Sequence, residues 1–525
     1  MAADAQAKRV CDALTRPDIY PDRPQQVEVR ETHLSWVFLA GERVYKLKKP
    51  LVLDFVDYGT PERRRAMCEA EVRLNRRLAP DIYRGVRGVA IAHGAELTTV
   101  DDPRAVDFVV EMRRYDERDT LAARLACGEL ERDQVATVGV ALARFHAGAP
   151  RADDSESPAL AAERRFARNV HELLAVVEER GEIGRVQALE RFAHAFITAH
   201  ARTFQTRADR GCLREGHGDL RAEHVLVDRS GVQIVDCIEF DPALRRLDVA
   251  DDLAFLVFDL VALGGERFIE TLASAYRDAG GDPGDEPLIA FYAAYRALVR
   301  AKVALVRAPQ LPATGGKREQ ERAHARDLID LAERFAWGAR RPLVIVVCGL
   351  PASGKSVLAG ALSDRSQLPH LSSDVTRKRL AGLDPTQRAP ADHYTPAWNA
   401  RTYAELGRCA ARALADDRGA IVDATFRHRT DRQAFASALA AGVSPLFIEC
   451  RAPRTVLAER AGRREQDARR VSDADAAVVT GERDSWEPLD EVPGATHLTV
   501  RTDRPIAQIT GDVLALLDQR LLDTG

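Results

Sequence analysis

The chain has no Cys-x-x-Cys pair: its eight cysteines (11, 68, 127, 212, 237, 348, 409 and 450) lie far apart in 525 residues. That excludes a zinc site of the usual spacing and a disulfide framework, so the cysteines read as buried small residues in a reducing compartment. No apolar run approaches the roughly 20 residues that span a bilayer, and residues 1–20 hold no apolar core of the secretory kind. A cytoplasmic protein without a membrane partner is expected. The net charge of −4, from 76 basic and 80 acidic residues mixed throughout, excludes a protein built to coat nucleic acid, while leaving a local basic patch open. There is no internal repeat and no long low-complexity tract. At this length two or three domains with real cores are expected.

Lysine is also scarce. Only eight of the 76 basic residues are lysines (8, 46, 48, 49, 302, 317, 355 and 378), which leaves 68 arginines. A composition so biased to arginine retains lysine at 355 and in the strand Val44 to Lys48, where a compact ammonium suits phosphate and a broad guanidinium does not substitute freely. Lys49 reads as a solvated strand end.

Two phosphate-handling signatures stand far apart in the chain. The first is Gly349, Leu350, Pro351, Ala352, Ser353, Gly354, Lys355 and Ser356, a match to G-x-x-x-x-G-K-[ST] directly after the apolar run 343–348. Glycines there let backbone N–H groups turn inward around phosphate oxygens, and the helix opening near Lys355 aims its positive end at the same anion. Lys355 then bridges the outer phosphates, and the Ser356 hydroxyl joins a Mg²⁺ shell.

The second signature is spread over the amino-terminal part. In a helix expected over 62–78, Met67, Glu71, Leu74 and Leu78 share one face, so Glu71 projects toward the core and needs a cation. Lys46 on the preceding strand is the candidate. His217-Gly218-Asp219 precedes one apolar strand, and a second, 232–236, ends in Asp236. Asp219 is placed to accept or orient the proton of an attacking hydroxyl, and Asp236 to hold Mg²⁺ against phosphates.

With Lys46, Glu71, Asp219 and Asp236 in this order, and with Asp236-Cys-Ile-Glu-Phe240 followed by Asp248-Val-Ala-Asp-Asp252, residues from about 25 to 305 resemble the aminoglycoside phosphotransferase and choline kinase family. The resemblance implies a two-lobed protein-kinase-like fold. In that family an asparagine stands five residues after the catalytic acid as a second metal ligand. Here the place is taken by His224, a softer donor less suited to Mg²⁺. Either the second metal is dispensable or this half is a nucleotide-sensing module. No glycine-rich loop precedes Val44; Thr32-His-Leu-Ser-Trp36 occupies that region.

Residues from about 340 to 525 resemble the P-loop kinases of small substrates, which include gluconate kinases, polynucleotide 5′-hydroxyl kinases and zeta toxins. On that resemblance Asp374 orients the acceptor hydroxyl, or caps a helix over 375–381, and Arg377 clamps acceptor or phosphate. Asp423, ending the strand 419–423, is placed in the Mg²⁺ shell, and Arg460 and Arg464, four apart on one helix, belong to a lid. The fusion resembles a bacterial family described as a bifunctional phosphotransferase and ATP-binding protein.

The expected fold is therefore mixed α+β and α/β: a two-lobed kinase-like domain over 1–310, a linker and charged helix over 311–341, and a P-loop domain with a parallel sheet over 342–525. ATP and Mg²⁺ are the expected cofactors, and a small hydroxyl-bearing metabolite the expected substrate. Two alternatives stand beside this. In one, the P-loop half phosphorylates nucleic-acid 5′ ends or nucleotide sugars; in the other, the amino-terminal half senses ATP without catalysis.

Overall fold

The computed structural model describes residues 2–53, 56–92, 94–152, 156–228, 231–312, 315–416, 418–439, 442–465 and 486–524. They form two compact units that interleave along the chain: Met1–Ser157 with Thr203–Asp285, and Pro158–Arg202 with Glu286–Gly525.

The first unit is built on a six-stranded antiparallel sheet, ordered Val27–Glu31, Ser35–Ala40, Arg43–Lys48, Asp107–Arg113, Tyr83–Ala90, Glu96–Thr98. Alternation with period two sends side chains to opposite faces. Phe38, Tyr45, Leu47 and Val109 pack on one face with Val10 and Leu14, and Val44, Val110 and Met112 on the other with Cys68 and Val72 of the helix Pro61–Asn75. That helix opens on Thr60, whose side chain accepts from the Arg63 N–H, with Pro61 in its first turn. A fully buried ion pair seats it: Arg64 donates from Nε and Nη2 to the Asp107 carboxylate at 2.9 and 2.6 Å. The helix ends at Asn75, so Leu78, expected within it, falls in the following turn.

The second unit carries a five-stranded parallel sheet in the order His370–Ser372, Gly419–Asp423, Leu343–Cys348, Leu446–Arg451, His497–Arg501. The central strand is buried on both sides, as a parallel strand between helical layers should be. Leu343, Ile345 and Val347 pack with Leu358, Leu362, Ile509 and Val513; Val344, Val346 and Cys348 pack with Tyr403, Leu406, Phe426 and Phe435.

The charged helix expected in the linker is Lys317–Ala339. It belongs to this second unit, where Trp337 enters the same core as Leu343 and Ile345. The helices Pro158–Leu174, Arg180–Ala199 and Glu286–Arg307 belong here too, joined through Phe166, Phe192, Phe196 and Phe291; the last two rings stack at 4.6 Å. Compactness thus does not follow a cut near residue 310, because the aromatic stripes of those helices are buried against one another. Among the described residues no helix is long and apolar enough to cross a membrane. The cysteines are unpaired, and only five are buried; Cys127 is exposed and Cys11 and Cys409 are partly so, which corrects the reading of all eight as core residues.

Candidate active sites

In the first unit, Lys46 and Lys48 lie two apart on the strand Arg43–Lys48, on the face that meets Glu71 of the helix Pro61–Asn75. Lys46 Nζ is 3.0 Å from Glu71 Oε1 and donates to Asp236 Oδ1 at 2.9 Å. The Glu71 contact is an ion pair whose geometry makes no hydrogen bond. Lys48 is buried and donates to the other oxygen, Glu71 Oε2, at 2.7 Å, and also to Glu239, which accepts from the Tyr58 hydroxyl at 2.7 Å. Burial alone would lower the lysines, yet the adjoining carboxylates, Asp236 and Glu71 for Lys46 and Glu239 and Glu71 for Lys48, hold both pKa values well above the usual range. The Lys46 charge in turn holds the Asp236 carboxyl far below its ordinary value against the cost of burial. Lys49 is not a solvated strand end. It donates to Glu31 Oε1 and to the Thr32 carbonyl at 2.6 Å and lies over the Trp36 ring. The turn it braces stands where a glycine-rich loop was absent from the sequence, and the Thr32 hydroxyl closes it on Ser35.

His217, Gly218 and Asp219 form a loop held by one buried acid. Asp252 accepts from the backbone N–H of His217 and of Gly218 at 2.6 and 2.9 Å and contacts His146 Nε2 at 3.2 Å. His217 Nε2 donates to the Val235 carbonyl at 2.9 Å, and burial pushes its pKa down to about 4. Gly218 sits at φ +86°, where a Cβ would stand 2.9 Å from the Leu244 carbonyl. Asp236 also has a left-handed backbone, φ +62°, with its N–H donating to the Tyr83 hydroxyl. It is half exposed, with Oδ1 on Lys46. One such carboxylate beside phosphate oxygens is the donor set Mg²⁺ ordinarily takes. His224 lies beside both acids, its Nε2 4.0 Å from Asp236 Oδ2 and its Nδ1 3.7 Å from Asp219 Oδ2. Arg221, which the sequence did not single out, joins this group, its Nε 3.3 Å from Asp219 Oδ2 and its Nη2 3.0 Å from His224 Nε2.

In the second unit the loop 349–354 joins the central strand to the helix Lys355–Ser366. Gly349, at φ +137°, approaches the neighbouring strand so closely that a Cβ would lie 2.4 Å from the Cys450 carbonyl. Lys355 Nζ donates to the Leu350 carbonyl at 3.0 Å. Asp423 ends its strand in register with Val347 and Ser372. Burial would raise its pKa, but His370, whose Nε2 is 3.7 Å from Oδ2, the Lys355 charge and nearby Ser356 together bring it below the ordinary value. An ionised carboxylate near Ser356 at the helix opening has the donor chemistry of a Mg²⁺ shell completed by phosphates. Thr502 donates to the Ser353 carbonyl at 2.5 Å, and Arg460 donates to Thr502 from both guanidinium ends at 3.2 and 2.7 Å. Arg460 therefore stands against the loop, while the side chain of Arg464 lies outside the described residues.

Asp374 occupies the first turn of the helix Ser373–Leu380, whose N-cap is Ser372, so it does not cap a helix beginning at 375. Arg377 is buried, donates to the His393 carbonyl at 2.7 Å and lies over the Tyr394 ring. Its Nε has no hydrogen-bond partner among the described residues. Lys48 could be placed beside Lys46 from its spacing, whereas its pairing with Glu239 and the place of Thr502 carried no local signal.

An AAA domain family profile matches residues 344–489. Uncharacterized protein Rv2004c of Mycobacterium tuberculosis is 31% identical over 469 residues, covering 88% of this chain and 91% of that one. The chain belongs to the family of that mycobacterial protein. A Mycobacterium bovis protein, Mb2027c, matches to the same extent. Similar solved structures include a choline/ethanolamine kinase family protein from Mesorhizobium loti, 16% identical with a TM-score of 0.37, covering 61% of this chain and 94% of its own. A gluconokinase from Sinorhizobium meliloti is 22% identical with a TM-score of 0.25, covering 35% and 95%. The fold class agrees with the expected mixture of α+β and α/β: an amino-terminal unit on an antiparallel sheet and a carboxy-terminal P-loop domain with a parallel sheet.

Proposed function

We propose that this member of the family is an ATP- and Mg²⁺-dependent phosphotransferase with two nucleotide sites, each moving a γ-phosphoryl group to a hydroxyl of a small metabolite. The observation that carries the reading is the triad of Lys46, Glu71 and Asp236, brought from a strand, a helix and a distant loop to within 3.0 Å of one ammonium. Buried charges converge in this way only at a cost in desolvation, and a site that must neutralise a triphosphate gives that cost a use.

In the kinase-like site, Lys46 positions phosphates and Asp236 would hold the metal. Asp219 takes the proton as the acceptor oxygen forms its bond to γ-phosphorus, the bond from γ-phosphorus to the β,γ-bridging oxygen breaks, and ADP leaves. In the P-loop site, the backbone of 349–354 cradles phosphates, Lys355 neutralises them, and Ser356 and Asp423 would hold the metal. Asp374 orients the acceptor hydroxyl, with Arg377 beside it as the clamp for an anionic acceptor group. Arg460 supports the loop through Thr502. When bound, the metal supplies charge neutralisation at the β- and γ-oxygens.

The test is a metabolite mixture incubated with labelled ATP and three forms of the full chain: wild type, Lys355→Ala and Asp219→Ala. One labelled product should disappear with each variant. Loss of no product in Asp219→Ala, with an altered ATP response in the P-loop reaction, would replace catalysis by sensing in the first half. Loss of a labelled oligonucleotide product in Lys355→Ala would move the second acceptor from metabolites to nucleic-acid ends.

A further inference from the structure

Two-metal kinase sites hold the second ion with an oxygen donor from the catalytic loop. Here that place belongs to His224, and its ring is already committed on both sides. Nδ1 lies 2.9 Å from the Asp219 carbonyl. A carbonyl only accepts, so Nδ1 carries the proton, and in a neutral ring Nε2 is left with the lone pair. Arg221 Nη2 stands 3.0 Å from that nitrogen and donates to it. The one lone pair through which His224 could bind a metal is therefore occupied by a guanidinium.

The neighbouring oxygens are engaged in the same way. Arg221 Nε reaches Asp219 Oδ2 at 3.3 Å, and Arg221 Nη1 pairs with Glu223. The guanidinium is largely buried, its side chain 16% exposed. Among the described residues no trio of His, Cys, Asp or Glu side chains is arranged to hold a metal. A second divalent ion would have to displace Arg221 from His224 and then stand beside a group that stays charged at any working pH.

We infer that the kinase-like site works with a single divalent cation, and that Arg221, fixed on His224 and Asp219, supplies the second positive charge to the phosphates. A guanidinium so held is planar and pre-organised, and it donates charge-assisted hydrogen bonds to phosphate oxygens without recruiting an ion from solution. His224 in this arrangement is a positioning residue for Arg221, not a ligand. This inference rests on the nucleotide binding proposed above for the Lys46 and Asp236 cleft.

The test is electron paramagnetic resonance of Mn²⁺ with an unhydrolysable ATP analogue, on the full chain carrying Lys355→Ala so that the P-loop site does not contribute. One Mn²⁺ per bound nucleotide is expected, without Mn²⁺–Mn²⁺ spin coupling. Adding Arg221→Gln and His224→Asn together, which clears the guanidinium and restores an amide oxygen, should raise the count from one to two and introduce the coupling. A spin-coupled pair in the parent, with nucleotide bound, would overturn the inference alone. A count that stays at one in the combined variant would overturn the role of Arg221. Absence of analogue binding to the parent would overturn the kinase-like reading and this inference with it.

Discussion

On the proposed reading, the two candidate sites would place positive charge around phosphate by opposite means. In the P-loop unit the cradle is backbone: a loop forced by Gly349 against the Cys450 carbonyl, followed at once by a helix opening. In the first unit the charge is carried by side chains from separate elements, as a chain of ion pairs from the half-exposed Asp236 through Lys46 to the largely buried Glu71, Lys48 and Glu239. A backbone cradle is sensitive to shape, whereas an ion-pair chain is sensitive to the removal of a single charge. The difference gives each unit its own way to fail.

The largest expected effect follows from the chain's buried middle. Lys48→Met removes the cation that bridges Glu71 and Glu239; Glu71 keeps Lys46, while the largely buried Glu239 loses its ammonium partner. Breaking a buried pair by losing one partner costs about 3–5 kcal/mol. Urea unfolding followed by hydrogen exchange should show that loss in peptides from 43–48 and 61–75, with peptides from 343–366 unchanged. Equal loss in both units would mean they do not unfold independently, and the contrast between them would fail.

Next comes the pH dependence of the kinase-like loop. His217 titrates near 4 in the folded protein and near its ordinary 6.5 when unfolded. The unfolded chain thus binds the proton first, so stability is full above 6.5 and falls as the pH drops from there toward 4. The whole shift corresponds to roughly 3 kcal/mol. The depressed acids Asp236 and Asp252 lose their contribution only at lower pH, so across the window from 6.5 to 4.5 the histidine titrates ahead of them. Exchange protection around 217–236 should decline across it in wild type and remain level in His217→Gln.

How far these sites could be read in advance followed from periodicity. A strand alternates and a helix repeats near 3.6, so Lys46 and Glu71 could be assigned to facing surfaces from spacing alone. The same alternation puts Lys48 beside Lys46, but its second partner, Glu239, is almost 200 residues away, and no local pattern pairs them. Lys49 was misjudged for the same reason, since Glu31 and Thr32 reach it across a turn. The P-loop was legible because consecutive residues make it, whereas Thr502, which props Ser353 from 149 positions away, was not. The helices 158–202 were legible as helices, but their unit was not: which partner receives an amphipathic face is a tertiary matter.

A smaller effect sharpens the backbone side of the comparison. Gly349→Ala puts a methyl group 2.4 Å from the Cys450 carbonyl at a φ of +137°. Strain of about 1–3 kcal/mol is expected, along with a displaced loop. Nucleotide titration should show at least a tenfold loss at the P-loop site, with binding at the Lys46 site retained.

The smallest predicted effect tests how the cradle is held. Among the described residues Arg460 makes no hydrogen bond to the loop backbone; it holds Thr502, and Thr502 holds the Ser353 carbonyl. Removing such a prop costs about one hydrogen bond, ~1 kcal/mol, so Arg460→Ala should weaken nucleotide binding roughly fivefold. Thr502→Val should match it, because both substitutions cut one linkage, and the double variant should lose no more than either alone. If Arg460 acted instead by contacting the transferring phosphoryl group, Arg460→Ala would depress turnover with the nucleotide Kd unchanged, and Thr502→Val would leave turnover intact. The double-variant cycle on Kd therefore decides whether this arginine braces the backbone cradle or adds a side-chain charge of the kind that dominates the other unit.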